Sequence, residues 1–147
     1  MDYNAINVLL VEDNLDEAEL AMRQLKKNRM NTRLLHIKDG EEALDFIFAT
    51  GKYDGLRDLQ HSPDLILLDI QMPKLNGIEV LEKIKGDERT RSIPVVVLTS
   101  SNQNPNVQRC YELGANSYIV KPIGIENYTE ALKRLGIYWQ ILNIPPG

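Results

Sequence analysis

Five short apolar runs, each rich in β-branched residues or leucine, recur along the chain: Val8–Val11, Arg33–Ile37, Leu65–Leu68, Val95–Leu98 and Ser117–Val120. They do not alternate apolar with polar positions as half-exposed strands would, which predicts that most are buried on both faces, as in a parallel sheet. Between them the period becomes helical. After the first run, Ala18, Ala21, Met22 and Leu25 fall at i, i+3, i+4 and i+7, and Asn14 with Glu17 forms a capping pair. Asp39 with Glu42 opens a second helix with Ala43, Leu44, Ile47 and Phe48 inward; Asn76 with Glu79 opens a third with Ile78, Leu81 and Ile84 inward. Asn104 and Pro105 read as the cap and first residue of a fourth helix, carrying Val107, Cys110 and Tyr111 and stopping at Gly114. A last helix carries Tyr128, Leu132, Leu135 and Trp139.

Strand–helix alternation repeated five times implies right-handed crossovers and helices on both faces of the sheet, hence a three-layer α/β/α sandwich around five parallel strands. Such sheets bind ligands beyond the carboxyl ends of their strands, where strand order reverses. Those ends carry Glu12-Asp13, Lys38-Asp39, Asp69, Thr99-Ser100 and Lys121-Pro122, polar and chemically capable in nearly every case. One connection, Thr50–Pro63, exceeds the usual length of about 2–6 residues, so residues 51–63 are expected to form an insertion, either packed or partner-binding.

At 147 residues, the chain is expected to form a single domain over residues 1–147. Its 43% hydrophobic and 26% charged residues fit a globular protein rather than a disordered one. With 17 Lys and Arg against 21 Asp and Glu, the net charge of −4 disfavours nucleic acid, whose phosphates need a basic surface. Cys110 alone cannot close an intrachain disulfide. The apolar runs fall far short of the roughly 18 residues of a membrane span, and Met1–Asn7 lacks a basic leader, so no membrane association and a cytoplasmic location are expected.

If the first, third, fourth and fifth strands are near neighbours, Glu12, Asp13, Asp69, Thr99 and Lys121 converge on one sheet edge. Three carboxylates and one ammonium sum to −2, and like charges about 4 Å apart cost roughly 4 kcal/mol per pair at an effective dielectric of 20. An oxygen-bound divalent cation would neutralise them. Mg²⁺ suits one or two carboxylates with a carbonyl, water and a phosphoryl oxygen, so the edge is suited to phosphate.

Val11-Glu12-Asp13, then Leu67-Leu68-Asp69-Ile70-Gln71-Met72-Pro73-Lys74-Leu75-Asn76-Gly77, then Leu98-Thr99-Ser100, then Tyr118-Ile119-Val120-Lys121-Pro122 together resemble the receiver domain of two-component response regulators. The resemblance runs in order through almost the whole chain and implies a flavodoxin-like (βα)5 fold, similar to the chemotaxis regulators. It makes Asp69 the phosphoacceptor, a carboxylate nucleophile charged by a sensor histidine kinase. It makes Asp13 and Asp69 ligands of Mg²⁺ or Mn²⁺, with Glu12 holding the water shell and the Gln71 backbone carbonyl as a further ligand. Lys121 would pair with the phosphoryl oxygens, aimed by a cis bond between Lys121 and Pro122, and Thr99 would donate a hydroxyl to them. Thr99 and Tyr118 would be the switch residues, their movement reshaping the face of the fourth helix, fifth strand and fifth helix for a downstream protein target. The implied protein is a phosphoacceptor switch rather than a turnover enzyme.

A receiver of about 120 residues would end near Gly136, leaving an apolar extension at residues 137–147, too short for a DNA-binding output domain. Exposed apolar stretches mark interfaces, so the last helix and this extension are expected to support a homodimer. The extension, the 51–63 insertion and the Tyr138-Trp139 pair resemble the stand-alone response regulators of bacterial and cyanobacterial phytochromes, which makes a phytochrome kinase the expected partner. Two rivals fit less well. A Mg²⁺-dependent aspartyl-phosphate phosphatase or phosphotransferase commonly carries a second Asp two residues after its nucleophile, where this chain has Gln71. A flavin or nucleotide domain wants a Gly-rich first loop, where this chain has Glu12-Asp13-Asn14-Leu15-Asp16. His36 and His61 read as structural, Met72 as core, Cys110 as redox-inert, and Lys26, Lys27, Arg29 and Arg33 as a solvated helix end.

Overall fold

The computed structural model describes residues 6–27, 32–55, 63–72, 75–99 and 105–120. Lys121, Pro122, the expected last helix, residues 137–147, His61, the Asn104 cap and the Leu25 side chain lie outside the described residues. The elements run β1 (Ile6–Val11), α1 (Leu15–Lys27), β2 (Thr32–Ile37), α2 (Gly40–Phe48), a 3₁₀ turn (Gly51–Tyr53), β3 (Leu65–Asp69), α3 (Gly77–Lys85), β4 (Val95–Thr99), α4 (Pro105–Glu112) and β5 (Ser117–Val120). No helix among them is long and apolar enough to cross a membrane.

All five strands are parallel, in the order β2-β1-β3-β4-β5. The chain therefore reverses direction across the sheet at β1. Because crossovers are right-handed, α1 covers one face of the sheet and α2, α3 and α4 the other. Every residue of β3 and β4 is buried, as expected for strands covered on both sides. The strands at the two ends of the sheet depart from that pattern: in β2, Leu35 is exposed and Leu34 and His36 are half-buried, and in β5 Val120 is exposed. Edge position, not composition, opens them to solvent.

On the face of α2–α4, one core gathers Leu9, Val11, Ile66, Leu68, Val95 and Val97 from the sheet with Ala43, Ile47, Val80, Leu81, Ile84 and Cys110 from the helices. The intervening sheet residues, such as Leu10, Leu67 and Val96, are equally buried. Met72 belongs to the first core. Burial alone pushes the Cys110 thiol above its usual range, which suits a core residue rather than a reactive one.

Three of the four expected caps lie within the described residues, and all three form. The Asn14, Asp39 and Asn76 side chains accept from the amides of Glu17 at 3.0 Å, Glu42 at 2.7 Å and Glu79 at 3.1 Å. Each satisfies an amide that the first helical turn leaves without a partner and fixes where the chain turns from strand to helix. The fourth helix ends as its sequence implies, with Gly114 at a φ of 108° and the Ala115 amide donating back to the Cys110 carbonyl. Within the long connection, residues 51–53 form the 3₁₀ turn, where the half-buried Tyr53 ring stands edge-on to Phe46 at 5.3 Å while its neighbours from Thr50 to Gly55 are exposed. Its remainder, 56–62, lies outside the described residues.

Candidate functional site

Strand order places β1 and β3 side by side at the point of reversal, with Val11 opposite Leu68. One step further along, the chain delivers Glu12 and Asp13 from β1 and Asp69 from β3 to the same crevice. One carboxylate oxygen from each lies within 4.8 Å of the other two. Glu12 and Asp69 are almost wholly buried, at 1% and 3% exposure, while Asp13 opens to solvent. At that spacing each pair of charges repels by about 3.5 kcal/mol at an effective dielectric of 20. Buried carboxylates are rare unless paired or metal-bound. An all-oxygen, acid-rich set of this kind fits a hard divalent cation better than a soft one.

The surrounding backbone sets the three groups in place. The Glu12 amide donates to the Ile37 carbonyl at 3.1 Å, extending the β1–β2 ladder one residue past the strand. The Glu12 carboxylate accepts from the Asn14 amide at 3.3 Å, and Asn14 in turn caps α1. Asp69 Oδ1 accepts from the Gln71 amide at 3.0 Å, which turns the chain sharply after β3 and leaves Gln71 exposed beside the crevice. Gly77, the first residue of α3, packs against the strand end so closely that a Cβ would sit against the Asp69 carbonyl and 2.6 Å from Ile70 Cα. The amide of Gly77 donates to the Ile70 carbonyl at 3.4 Å. Only a residue without a side chain lets α3 start this near the acid.

Thr99 ends β4, the strand next to Asp69, and is fully buried. Tyr118 lies two residues earlier in the β4–β5 register, opposite Val97. It is half-buried, and its ring meets Tyr111 of α4 edge-to-face at 6.0 Å. Tyr111, expected on the inward stripe of that helix, is instead exposed at its rim, because its ring covers Tyr118 rather than entering the core. Lys121 and Pro122 lie outside the described residues.

One residue near the site was read from the sequence only as structural. His36, half-buried on β2, donates from Nε2 to the backbone carbonyl of Glu12 at 2.7 Å. No spacing or periodicity could have found this contact, since it joins residues 24 apart across two strands.

The family description "Response regulator receiver domain" matches residues 8–133. "Probable methanogenesis regulatory protein FilR2" of Methanothrix harundinacea (strain 6Ac) is 39% identical over 140 residues, covering 95% of this chain and 87% of that protein. The solved Mn(2+)-bound form of response regulator Rcp1, a protein of Synechocystis sp., superposes with a TM-score of 0.75 at 34% identity, over 96% of this chain and 97% of that one. The phosphorylated cyanobacterial phytochrome response regulator RcpA superposes with a TM-score of 0.77 at 32% identity, over 97% of each chain. A parallel sheet of order β2-β1-β3-β4-β5 and an acidic crevice at its switch point thus agree with a sequence match running through most of the chain: the protein belongs to the response regulator receiver domain family.

Proposed function

We propose that this chain is a phosphoacceptor switch in which Asp69 takes a phosphoryl group from the phosphohistidine of a sensor kinase. An Asp69 carboxylate oxygen attacks phosphorus, the P–N bond to the kinase imidazole breaks, and its electron pair returns to the ring nitrogen, leaving an acyl phosphate. The observation that carries this reading is the meeting of three carboxylates within 4.8 Å, two of them buried. Such a crevice repels a phosphoryl group unless a cation is present. Asp13 and Asp69, with the Gln71 carbonyl, would hold Mg²⁺ or Mn²⁺, and Glu12 would hold its water shell. When bound, the cation offsets the charge of the carboxylates and of the phosphoryl oxygens. Rcp1 in its Mn(2+)-bound form and RcpA in its phosphorylated form support the same assignment here.

Thr99 donates its hydroxyl to the acyl phosphate in this reading, and Lys121 pairs with the phosphoryl oxygens from a cis bond to Pro122. As Thr99 shifts toward the phosphoryl group, Tyr118 turns inward. The ring contact between Tyr118 and Tyr111 ties that turn to α4, whose outer surface is read by a protein target. Phosphorylation acts by favouring one of two pre-existing arrangements of this face. The phytochrome link of RcpA supports a phytochrome-type kinase as donor. The same reading includes a homodimer formed through the expected last helix and residues 137–147, which lie outside the described residues.

Incubation with acetyl phosphate and MgCl₂ tests the acceptor. The wild-type chain gains a hydroxylamine-labile phosphoryl group and Asp69→Asn gains none. Labelling retained in that variant places the acceptor elsewhere.

A further inference from the structure

Both backbone groups of Glu12 are fastened to β2: its amide donates to the Ile37 carbonyl at 3.1 Å, and its carbonyl accepts from His36 Nε2 at 2.7 Å. The first bond continues the sheet ladder. The second is made by a side chain, beyond the last ladder pair of Val11 with Ile37, and a short hydrogen bond to a carbonyl requires the Nε2–H form of the ring. The Glu12 carbonyl belongs to the same rigid peptide unit as the Asp13 amide, so holding that oxygen fixes the plane from which the Asp13 Cα departs. One peptide plane therefore lies between the two neighbouring carboxylates that face Asp69.

We propose that His36 is a positioning residue for the cation site, setting the Glu12–Asp13 peptide so that both carboxylates reach the ion together with Asp69. This rests on the reading of those three acids as the cation-binding set. In this role His36 acts through the Glu12 backbone, whose carbonyl its Nε2 meets at 2.7 Å. A cation site whose ligands are adjacent in sequence is sensitive to such a hold, because rotation of the shared peptide moves one acid away as it moves the other. A residue serving only the fold would affect unfolding and leave cation affinity alone.

Calorimetric titration of the metal-free protein with MgCl₂, beside unfolding midpoints in EDTA, separates the two. His36→Phe keeps the ring shape and removes the donor; His36→Asn keeps an amide donor one methylene too short; His36→Gln carries its amide nitrogen as many bonds from Cα as Nε2. Loss of outer-shell partners of metal ligands weakens binding 10–100-fold, so the Phe and Asn variants should bind Mg²⁺ about tenfold more weakly and the Gln variant within about twofold of wild type. Phe and Asn variants binding as tightly as wild type overturn the assignment of His36, as does a Gln variant as weak as they are. A Phe variant that does not fold leaves the contrast of Gln with Asn to decide. Wild-type protein that takes up no Mg²⁺ at all defeats the reading of the acidic site itself, and the role of His36 with it.

Discussion

Neutralising Asp69, the proposed acceptor, should stabilise the metal-free protein. Asp69 shares its crevice with Glu12 and Asp13, oxygen atoms within 4.8 Å, and at an effective dielectric of 20 each pair repels by about 3.5 kcal/mol. Asp69→Asn removes both repulsions that Asp69 makes, about 7 kcal/mol before solvent and salt screening. Asp13 is exposed and its share is screened by water and salt, so a gain of about 2 kcal/mol is expected. The substitution preserves volume, and the asparagine carbonyl can still accept from the Gln71 amide, now 3.0 Å from Oδ1. For a domain of this size, the increment corresponds to a rise of about 4–8 °C in Tm. The assay is thermal and urea unfolding at neutral pH in EDTA, repeated in excess MgCl₂. Magnesium at a hundred times its Kd should stabilise the wild type by about 2.7 kcal/mol and the variant by less, so the gap closes as the ion is added. Asp69→Asn unfolding at or below the wild-type midpoint in EDTA, or an equal response of both proteins to Mg²⁺, refutes the claim that carboxylate repulsion at this site outweighs what Asp69 contributes to the metal-free fold.

Gly77→Ala places a methyl against the Asp69 carbonyl and 2.6 Å from Ile70 Cα, where backbone cannot give way easily; a loss of about 1–3 kcal/mol in urea unfolding is expected, with slower labelling by acetyl phosphate. The Arg89 guanidinium and amide hold the Asp87 carboxyl at about 2, against an ordinary 3.8, so the folded state binds that proton less readily than the unfolded chain. The associated stability is present above 3.8 and lost as pH falls toward 2, and Asp87→Asn should flatten the urea midpoint against pH across that window. Removal of residues 137–147 should convert a dimer to a monomer by light scattering; an unchanged mass excludes that segment from the interface.

Much of the fold was legible because its signals are local. Unbroken apolar runs such as Leu65–Leu68 and Val95–Leu98 can be satisfied only by a strand covered on both faces, and β3 and β4 are. Asn14, Asp39 and Asn76 act within three residues of themselves, so their caps depend on nothing distant. The acids at the ends of β1 and β3 could be named in advance because strand–helix alternation fixes which end of every strand faces the ligand.

Strand order was beyond such reasoning, since it is set by which sheet faces and edges the helices leave covered. It decided that β2 lies at an edge with Leu35 in solvent, and that Glu12, Asp13 and Asp69 meet within 4.8 Å instead of occupying separate strand ends. The same assembly turned His36 toward the Glu12 carbonyl and Tyr111 onto Tyr118, and brought α3 close enough to β3 to demand Gly77. Helix caps and hydrophobic periods are read along the chain; charge proximity, close approach and ring contact arise between segments far apart in it, and come into being only when the sheet closes.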